Sequence, residues 1–311
     1  MITADLRRAI TAAVGSDADP KLRPGPVPGS YAFRLSPNTN LAAALRREPW
    51  IATAEITGPG YLTVTVTHDA LAALAVRIPQ AGEACAASDA LRGHTVPAPP
   101  QLNPDTWPQA QAALAAQLTP RLAAAAGATV IFDTERSSVS PTQDPPTPGS
   151  PVAAGIAYAG ADEVRFALAR MRPGGAAPEP AVVARHVLAN PAYAVRYAHA
   201  AAAAVLRWAA ALGTGPAGFR PGLLAEPGEL ALLDALSWLP ERVAIAARRA
   251  RPDVFAGYLE ELAARTIDTM NTTGFTTISS ISSERLWLAD AARTALATGL
   301  GLLGVDAPAR L

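Results

Sequence analysis

Aromatic and basic side chains stand close together on one predicted helix in the second half of the chain. Tyr193, Arg196 and Tyr197 recur at i, i+3 and i+4, which places them on one helical face, and His199 lies at its side. Tyrosine rings and guanidinium planes stack on unpaired bases, so this pattern indicates a candidate site for RNA. The alternative is core packing for the two tyrosines and a hydrogen bond to a backbone carbonyl for His199.

A second basic cluster follows farther along the chain. It consists of Arg242, Arg248, Arg249 and Arg251. Arg242 and Arg249 are seven residues apart and therefore share a helical face, which Arg248 adjoins. A local positive patch of this kind is a second candidate contact for RNA phosphates. The alternative is an ordinary solvated helix face, because surface arginines are common.

The signatures of well-known catalytic sites are missing from the 311 residues. The sequence contains no P-loop, no G-x-S-x-G and no H-E-x-x-H, and its four histidines and one cysteine lack the spacing of zinc ligands. A formal G-x-G-x-x-G match at 299–304 follows a predicted helix rather than a strand, which argues against a dinucleotide site. We therefore expect no enzyme activity, no cofactor and no metal.

Charge and composition limit the classes of partner. The chain has 26 Lys and Arg against 26 Asp and Glu, so no global field draws it to nucleic acid or to an anionic membrane. Its most apolar stretch, residues 197–212, is shorter than the roughly 20 residues that span a bilayer. The single cysteine excludes an intramolecular disulfide. These features predict a cytoplasmic protein that contacts neither membrane nor DNA.

Local patterns predict an α+β N-terminal domain followed by an all-α antiparallel helical bundle. Residues 1–92 form the first domain, with helices at 3–14, 40–47 and 69–78, Thr3 as an N-cap, a loop at 16–30 and a hairpin across 51–67. Residues 93–155 are a Pro-rich connector with one helix at 109–126 and one strand at 128–133. Residues 156–311 form the bundle, with helices at 162–171, 180–188, 191–212, 227–236, 239–250, 252–270 and 283–296.

The bundle resembles the DALR anticodon-binding domain of arginyl-tRNA synthetases. The resemblance rests on G-A-D-E-V-R-F-A-L at 160–168, N-P-A-Y-A-V-R-Y-A-H-A at 190–200, Y-L-E-E-L-A at 258–263 and G-L-G-L-L-G-V-D-A-P at 299–308. The second stretch is similar to the family's N-P-x-Y-Y-V-Q-Y-A-H-A-R and the fourth to its G-L-x-L-L-G-I-x-x-P. Residues 1–92 resemble the family's N-terminal add-on domain less specifically, through G-S-Y at 29–31 and E-I-T-G-P-G-Y-L-T-V at 55–64.

This resemblance implies a non-catalytic tRNA-binding protein. In the family a nucleotide-binding catalytic domain with H-I-G-H and K-M-S-K signatures lies between the two regions; here neither signature exists, and Lys21 is the only lysine. The resemblance implies that the bundle holds the anticodon side of a tRNA, with arginine tRNA as the first candidate. It also implies that Asn38 and Asn40 of the N-terminal domain contact the tRNA elbow.

Two departures from the family pattern leave an alternative open. Where the family reads F-N-R-F-Y, residues 266–270 read T-I-D-T-M, and the arginine that follows A-H-A in the family is Ala201. Both changes remove side chains that stack on or bind RNA. The alternative is a protein-interaction module, an adaptor or regulator of a synthetase or biosynthetic enzyme, whose RNA contacts have decayed.

Overall fold

The computed structural model of the chain joins a small antiparallel sheet and its helices to a larger helical region. It describes residues 1–14, 20–34, 40–58, 60–99, 102, 104–131, 145–276 and 281–311. This arrangement confirms the predicted fold class of an α+β part followed by a helical part.

The N-terminal sheet contains the predicted hairpin. Its strands are β1 (Arg23–Pro24), β2 (Ser30–Arg34), β3 (Ile51–Ile56) and β4 (Tyr61–Val66). They pair in the order β1-β2-β4-β3, with every neighbouring pair antiparallel. The period-2 alternation of β4 buries Leu62, Val64 and Val66 and leaves its tyrosine and threonines on the other face. The sheet therefore supplies one half of a core that helices must cover.

Helices cover this sheet. They are α1 (Ile2–Val14), α2 (Leu41–Leu45), α3 (His68–Ala72) and α4 (Leu74–Ala81), and a 3₁₀ turn, Gly82–Ala86, follows. Leu6 and Ile10 of α1 are buried, as their spacing predicts. The prediction of Thr3 as an N-cap is wrong, because Thr3 lies inside α1 and its hydroxyl donates to the Ser237 carbonyl at 2.9 Å. The helix predicted at 69–78 is two helices that meet at Ala73.

The middle of the chain contributes a long helix and a pair of short strands. They are β5 (Thr95–Pro97), α5 (Trp107–Ala125) and β6 (Thr129–Ile131), of which β5 and β6 pair in parallel. Leu118 and Leu122 of α5 are fully buried. A further helix, α6 (Pro151–Ala159), begins inside the stretch predicted as a connector with one helix. The domain boundaries at 92 and 155 stay predictions.

The rest of the chain is helical. Its elements are α7 (Ala161–Arg170), α8 (Pro180–Val183), α9 (Pro191–Ala211), a 3₁₀ turn (Pro221–Leu223), α10 (Pro227–Ser237), α11 (Leu239–Arg248), α12 (Pro252–Met270), α13 (Thr273–Thr276) and α14 (Ser283–Leu303). The helix α14 packs against α9, α12 and α4, and α5 packs against α11 and α7. Proline at the start of α9, α10 and α12 has no amide hydrogen to leave unpaired there.

Two helix ends differ from their predictions. The helix predicted at 180–188 ends at Val183, and α14 runs on past Leu296 to Leu303. Gly299 lies inside α14, where a Cβ atom would stand 2.4 Å from a methyl carbon of Leu259 in α12. This glycine allows two helices to pack closely, and Gly304, with a φ of 71°, ends the helix in the left-handed conformation.

Hydrogen bonds join the N-terminal part to the helical part. The Gly29 amide donates to Asp234 at 2.8 Å, and the buried Tyr31 hydroxyl donates to the Ser237 hydroxyl at 2.7 Å. The Tyr31 ring also packs against the Trp238 ring, with 5.2 Å between their centroids. Burial raises the pKa of Tyr31 well above its usual value. The sheet and the helical region therefore share one continuous core.

Candidate nucleic-acid interface

The predicted aromatic face of α9 exists as a stack of three rings. His186 and Tyr193 stack with centroids 5.4 Å apart, and Tyr193 and Tyr197 stack with centroids 5.8 Å apart. His186 is exposed and both tyrosines are half-buried, so the rings line the surface rather than the core. An exposed edge of aromatic rings is what a splayed base stacks on. The spacing of Tyr193 and Tyr197 predicted their proximity, whereas His186 lies before the helix and had no signal in the sequence.

Asn190 holds this stack in place. Its side-chain oxygen accepts the Ala192 amide at 3.2 Å and caps α9, while its side-chain nitrogen donates to the carbonyls of Val183 and Arg185, each at 2.7 Å. Asn190 is buried, so these bonds are shielded from water. The loop that carries His186 is therefore fixed against the first turn of α9.

Arg196 lies beside the stack, but its guanidinium group pairs with carboxylates of α7. Its Nη1 group pairs with Glu163, and its Nη2 group lies 3.8 Å from an Asp162 oxygen. Only 16% of its side chain is exposed. The predicted RNA contact at Arg196 is in this structure an ion pair between two helices, and its charge is largely balanced by the two carboxylates.

His199 forms a hydrogen bond with the C-terminal segment. It is buried, and its Nδ1–H donates to the Pro308 carbonyl at 2.9 Å, which is the alternative that the sequence left open. Burial lowers the pKa of His199, since the imidazolium form loses its hydration there. Arg207, two turns along α9, donates to the Ala309 carbonyl at 2.6 Å. The residues after α14 are therefore held along α9, on the helix that carries the ring stack.

The predicted arginine cluster does not form one patch. Arg242 lies over the rings of Trp238 and Tyr258, 5.7 and 5.9 Å from their centroids. Arg248 approaches Glu241 at 3.5 Å, and Arg251 binds Asp253 through two hydrogen bonds of 2.7 Å. Arg249 is exposed and forms no ion pair with any residue that the structure describes. Of the four arginines, Arg249 is exposed without a carboxylate partner among the described residues, whereas Arg242 is covered by aromatic rings.

The remaining predicted residues lie at the N-terminal end. Asn40 is exposed and immediately precedes α2, and its side chain makes no capping bond there. Asn38 lies outside the described residues. Two further arginines of α14, Arg285 and Arg293, pair with Glu229 at 2.7 Å and Asp290 at 2.6 Å. Among the described residues no group of His, Cys, Asp and Glu side chains is arranged to hold a metal ion.

The sequence of the helical region matches one known family. The matching family model is the DALR anticodon binding domain, and the match covers residues 195–311. Residues 195–311, which match this model, are here called the DALR domain. This domain includes α9 from Val195 onward, α10 to α14 and the tail that His199 holds. The resemblance drawn from the sequence motifs is thereby confirmed.

Arginine–tRNA ligases are among the relatives of the chain. The ligase of Clavibacter sepedonicus is 42% identical over 136 residues, which are 42% of this chain and 24% of the ligase. The ligase of Renibacterium salmoninarum is 39% identical over 160 residues, which are 50% of this chain and 29% of the ligase. The chain thus spans about a quarter of the length of these curated relatives.

A solved structure shares the fold. The arginyl-tRNA synthetase of Thermus thermophilus superposes with a TM-score of 0.59 at 16% identity, over 100% of both chains. In the described part of this chain, no helix is both long and apolar enough to cross a membrane.

Proposed function

We propose that this chain binds tRNA through its DALR domain and the ring stack at the start of α9. The observation that carries the proposal is the family match at 195–311, since the family is named for anticodon binding. The stack of His186, Tyr193 and Tyr197 supports it, because single-stranded RNA loops are recognised by stacking of their bases on aromatic rings. Arginine tRNA is the first candidate, given the arginine–tRNA ligases among the relatives.

The manner of binding depends on which arginines have no carboxylate partner. Most of the arginines predicted to contact RNA pair with carboxylates, and the formal net charge is zero. Affinity then depends on stacking and on a few local contacts more than on a general attraction to phosphate. We propose that Asn40 adds a contact at the tRNA elbow, on the N-terminal part that shares a core with the DALR domain.

We also propose that these 311 residues do not aminoacylate tRNA. Neither of the two ATP-holding signatures of the synthetases occurs in them, and the single lysine at position 21 cannot supply a K-M-S-K loop. Purified protein incubated with ATP, arginine and tRNA is expected to give no arginyl-tRNA. Transfer of arginine above the level of a protein-free control would contradict this part of the proposal.

A protein partner is the second candidate function, and one observation favours it. Arg196, Arg251 and Arg285 are engaged by carboxylates of the chain itself, so they offer little charge to RNA. A DALR domain in which most of the predicted RNA-binding arginines are paired within the chain suits an adaptor of a synthetase or of a biosynthetic enzyme. Pull-down from lysate with and without RNase separates the two functions: a partner retained after RNase supports the adaptor, and its loss supports RNA binding.

A further inference from the structure

Arg185 immediately precedes His186, the first ring of the stack. Its side chain is exposed and forms no ion pair with any residue that the structure describes. The Cα atoms of consecutive residues are about 3.8 Å apart, so a guanidinium group at 185 lies within one side-chain length of the ring at 186. The stack therefore has a positive charge beside it that is not balanced by a carboxylate of the described chain.

The two arginines of α9 differ from Arg185 in this respect. Arg196 pairs with Glu163, and the charge of a second carboxylate, Asp162, lies 3.8 Å from its Nη2 group. Arg207 lies about 15 Å farther along the helix than Tyr197, and its Nη1 group donates to the Ala309 carbonyl. The guanidinium group of Arg185 has neither kind of partner among the described residues, so binding a phosphate there breaks no contact within the chain.

The backbone on both sides of Arg185 is fixed. Its amide donates to the Val182 carbonyl at 3.2 Å, and its carbonyl accepts a hydrogen bond from the Asn190 side chain at 2.7 Å. The Asn190 amide also donates to the Val187 carbonyl at 2.8 Å. Because Asn190 is buried, these bonds set the position of residue 185 relative to the stack before any ligand binds. Such preorganisation lowers the entropy that binding costs.

Two exposed apolar side chains follow the ring in the sequence. Val187 is 47% exposed and Leu188 is 53% exposed. Neighbouring apolar side chains that stay in solvent beside a stacking surface are typical of a surface that contacts a partner. Residues 185–188 thus present in succession a positive charge, an aromatic ring and two apolar groups. An unpaired nucleotide offers the complement of the first two, a phosphate and the face of a base.

We propose that Arg185 binds the phosphate of the nucleotide whose base stacks on His186. The inference rests on the proposed function, because it assigns a phosphate contact to the same ring stack. A guanidinium group can donate two parallel hydrogen bonds to phosphate oxygens, which fixes orientation as well as charge. The base and the phosphate of one nucleotide are separated by a single sugar, so two consecutive residues can hold both.

The first test removes the charge with Arg185→Gln in the full chain. The position is exposed, so the fold is expected to persist. The matched control is Arg121→Gln, at an exposed arginine of α5 that likewise forms no ion pair among the described residues. The measurement is the Kd for folded tRNA by filter binding over a series of salt concentrations.

Loss of one phosphate contact is expected to raise Kd on the order of fivefold at low salt and to reduce the slope of log Kd against log salt by about 0.7, the value for one phosphate of a single strand. Arg121→Gln is expected to keep the Kd and the slope of the unmodified protein. An unchanged slope in Arg185→Gln, or an equal change in Arg121→Gln, would overturn the proposal.

A double variant tests whether the phosphate and the stacked base belong to one nucleotide. His186→Ala removes the ring, and without the stacked base the phosphate is no longer held beside Arg185. The combined variant is therefore expected to raise Kd by clearly less than the product of the two single effects, since the two residues act on one group.

The outcomes separate this proposal from the proposed function. An increase in Kd equal to the product of the two single effects would show that Arg185 acts on another part of the RNA, and it would overturn the proposal while tRNA binding by the chain stands. Failure of the unmodified protein to bind tRNA would overturn both.

Discussion

Arg7 and Glu241, which are 234 residues apart, form a bidentate ion pair between α1 and α11. Arg7 donates Nε–H and Nη2–H to the two carboxylate oxygens, each at 2.7 Å, and the Glu241 side chain is 2% exposed. Geometry of this kind gives the strongest hydrogen bonds that side chains make. The pair fixes the first helix of the chain to the DALR domain.

Removal of one partner from this pair should destabilise the fold. Arg7→Met leaves the Glu241 charge buried and short of its main partner, so the free energy of unfolding is expected to fall by about 3–5 kcal/mol in urea titrations. Arg8→Met is the matched control. Arg8 pairs with Asp5, its side chain is 65% exposed, and exposed ion pairs contribute less than about 1 kcal/mol. Equal effects of the two substitutions would show that the Arg7 pair does not hold the two parts together.

Gly299 and Gly301 offer a matched pair within α14. A Cβ atom at 299 would lie 2.4 Å from the buried Leu259, whereas a Cβ atom at 301 meets nothing within 4 Å. Gly299→Ala is expected to cost about 1–3 kcal/mol of stability through overpacking. Gly301→Ala is expected to stabilise the protein by up to about 1 kcal/mol, since alanine favours helix. Thermal unfolding of both variants checks this, and a stabilising Gly299→Ala would contradict the close packing of α12 and α14.

His199 should make stability depend on pH. Its pKa is lowered in the folded state, so the unfolded chain takes up a proton first, near pH 6.5, as pH falls. Stability is therefore expected to decrease as pH drops below about 6.5, down to the folded pKa. His199→Gln should reduce this dependence in urea titrations at several pH values. His94→Gln, at an exposed histidine, is the matched control for the loss of an imidazole.

The ring stack can be tested separately from the fold. Tyr193→Ala removes the central ring, and loss of one stacked base is expected to weaken tRNA binding by about 1–3 kcal/mol. Trp208→Ala is the control, because Trp208 is a 60% exposed aromatic residue on the same helix and outside the stack. Filter binding gives both Kd values. Equal Kd values for Tyr193→Ala and the unmodified protein would remove the stack from the proposed interface.

Local patterns predicted much of the fold. The hairpin of β3 and β4 follows from alternation around a glycine turn, and α9 and α12 follow from helical periodicity that begins at a proline. The continuation of α14 past Leu296 was not predicted, because Gly299 and Gly301 each disfavour helix and the tertiary contact that makes a glycine useful at position 299 is not visible in the local sequence. Leu259 packs against Gly299, and it lies 40 residues earlier in the sequence.

The candidate site was harder to predict because its residues act through distant partners. The tyrosine spacing gave two rings of the stack, but His186 depends on bonds from Asn190 to a loop. Arg196 and Arg251 were predicted as RNA contacts from charge alone, and their carboxylate partners decide how much charge remains.

The most direct test of the account is the affinity of the full chain for folded tRNA, compared with a random-sequence RNA of equal length in the same filter-binding titration. The proposed function predicts that tRNA binds with a Kd on the order of micromolar or tighter, and that this affinity falls as salt is added. It also predicts clearly weaker binding of the random RNA. Equal affinity for the two RNAs, or no binding of either, would contradict it.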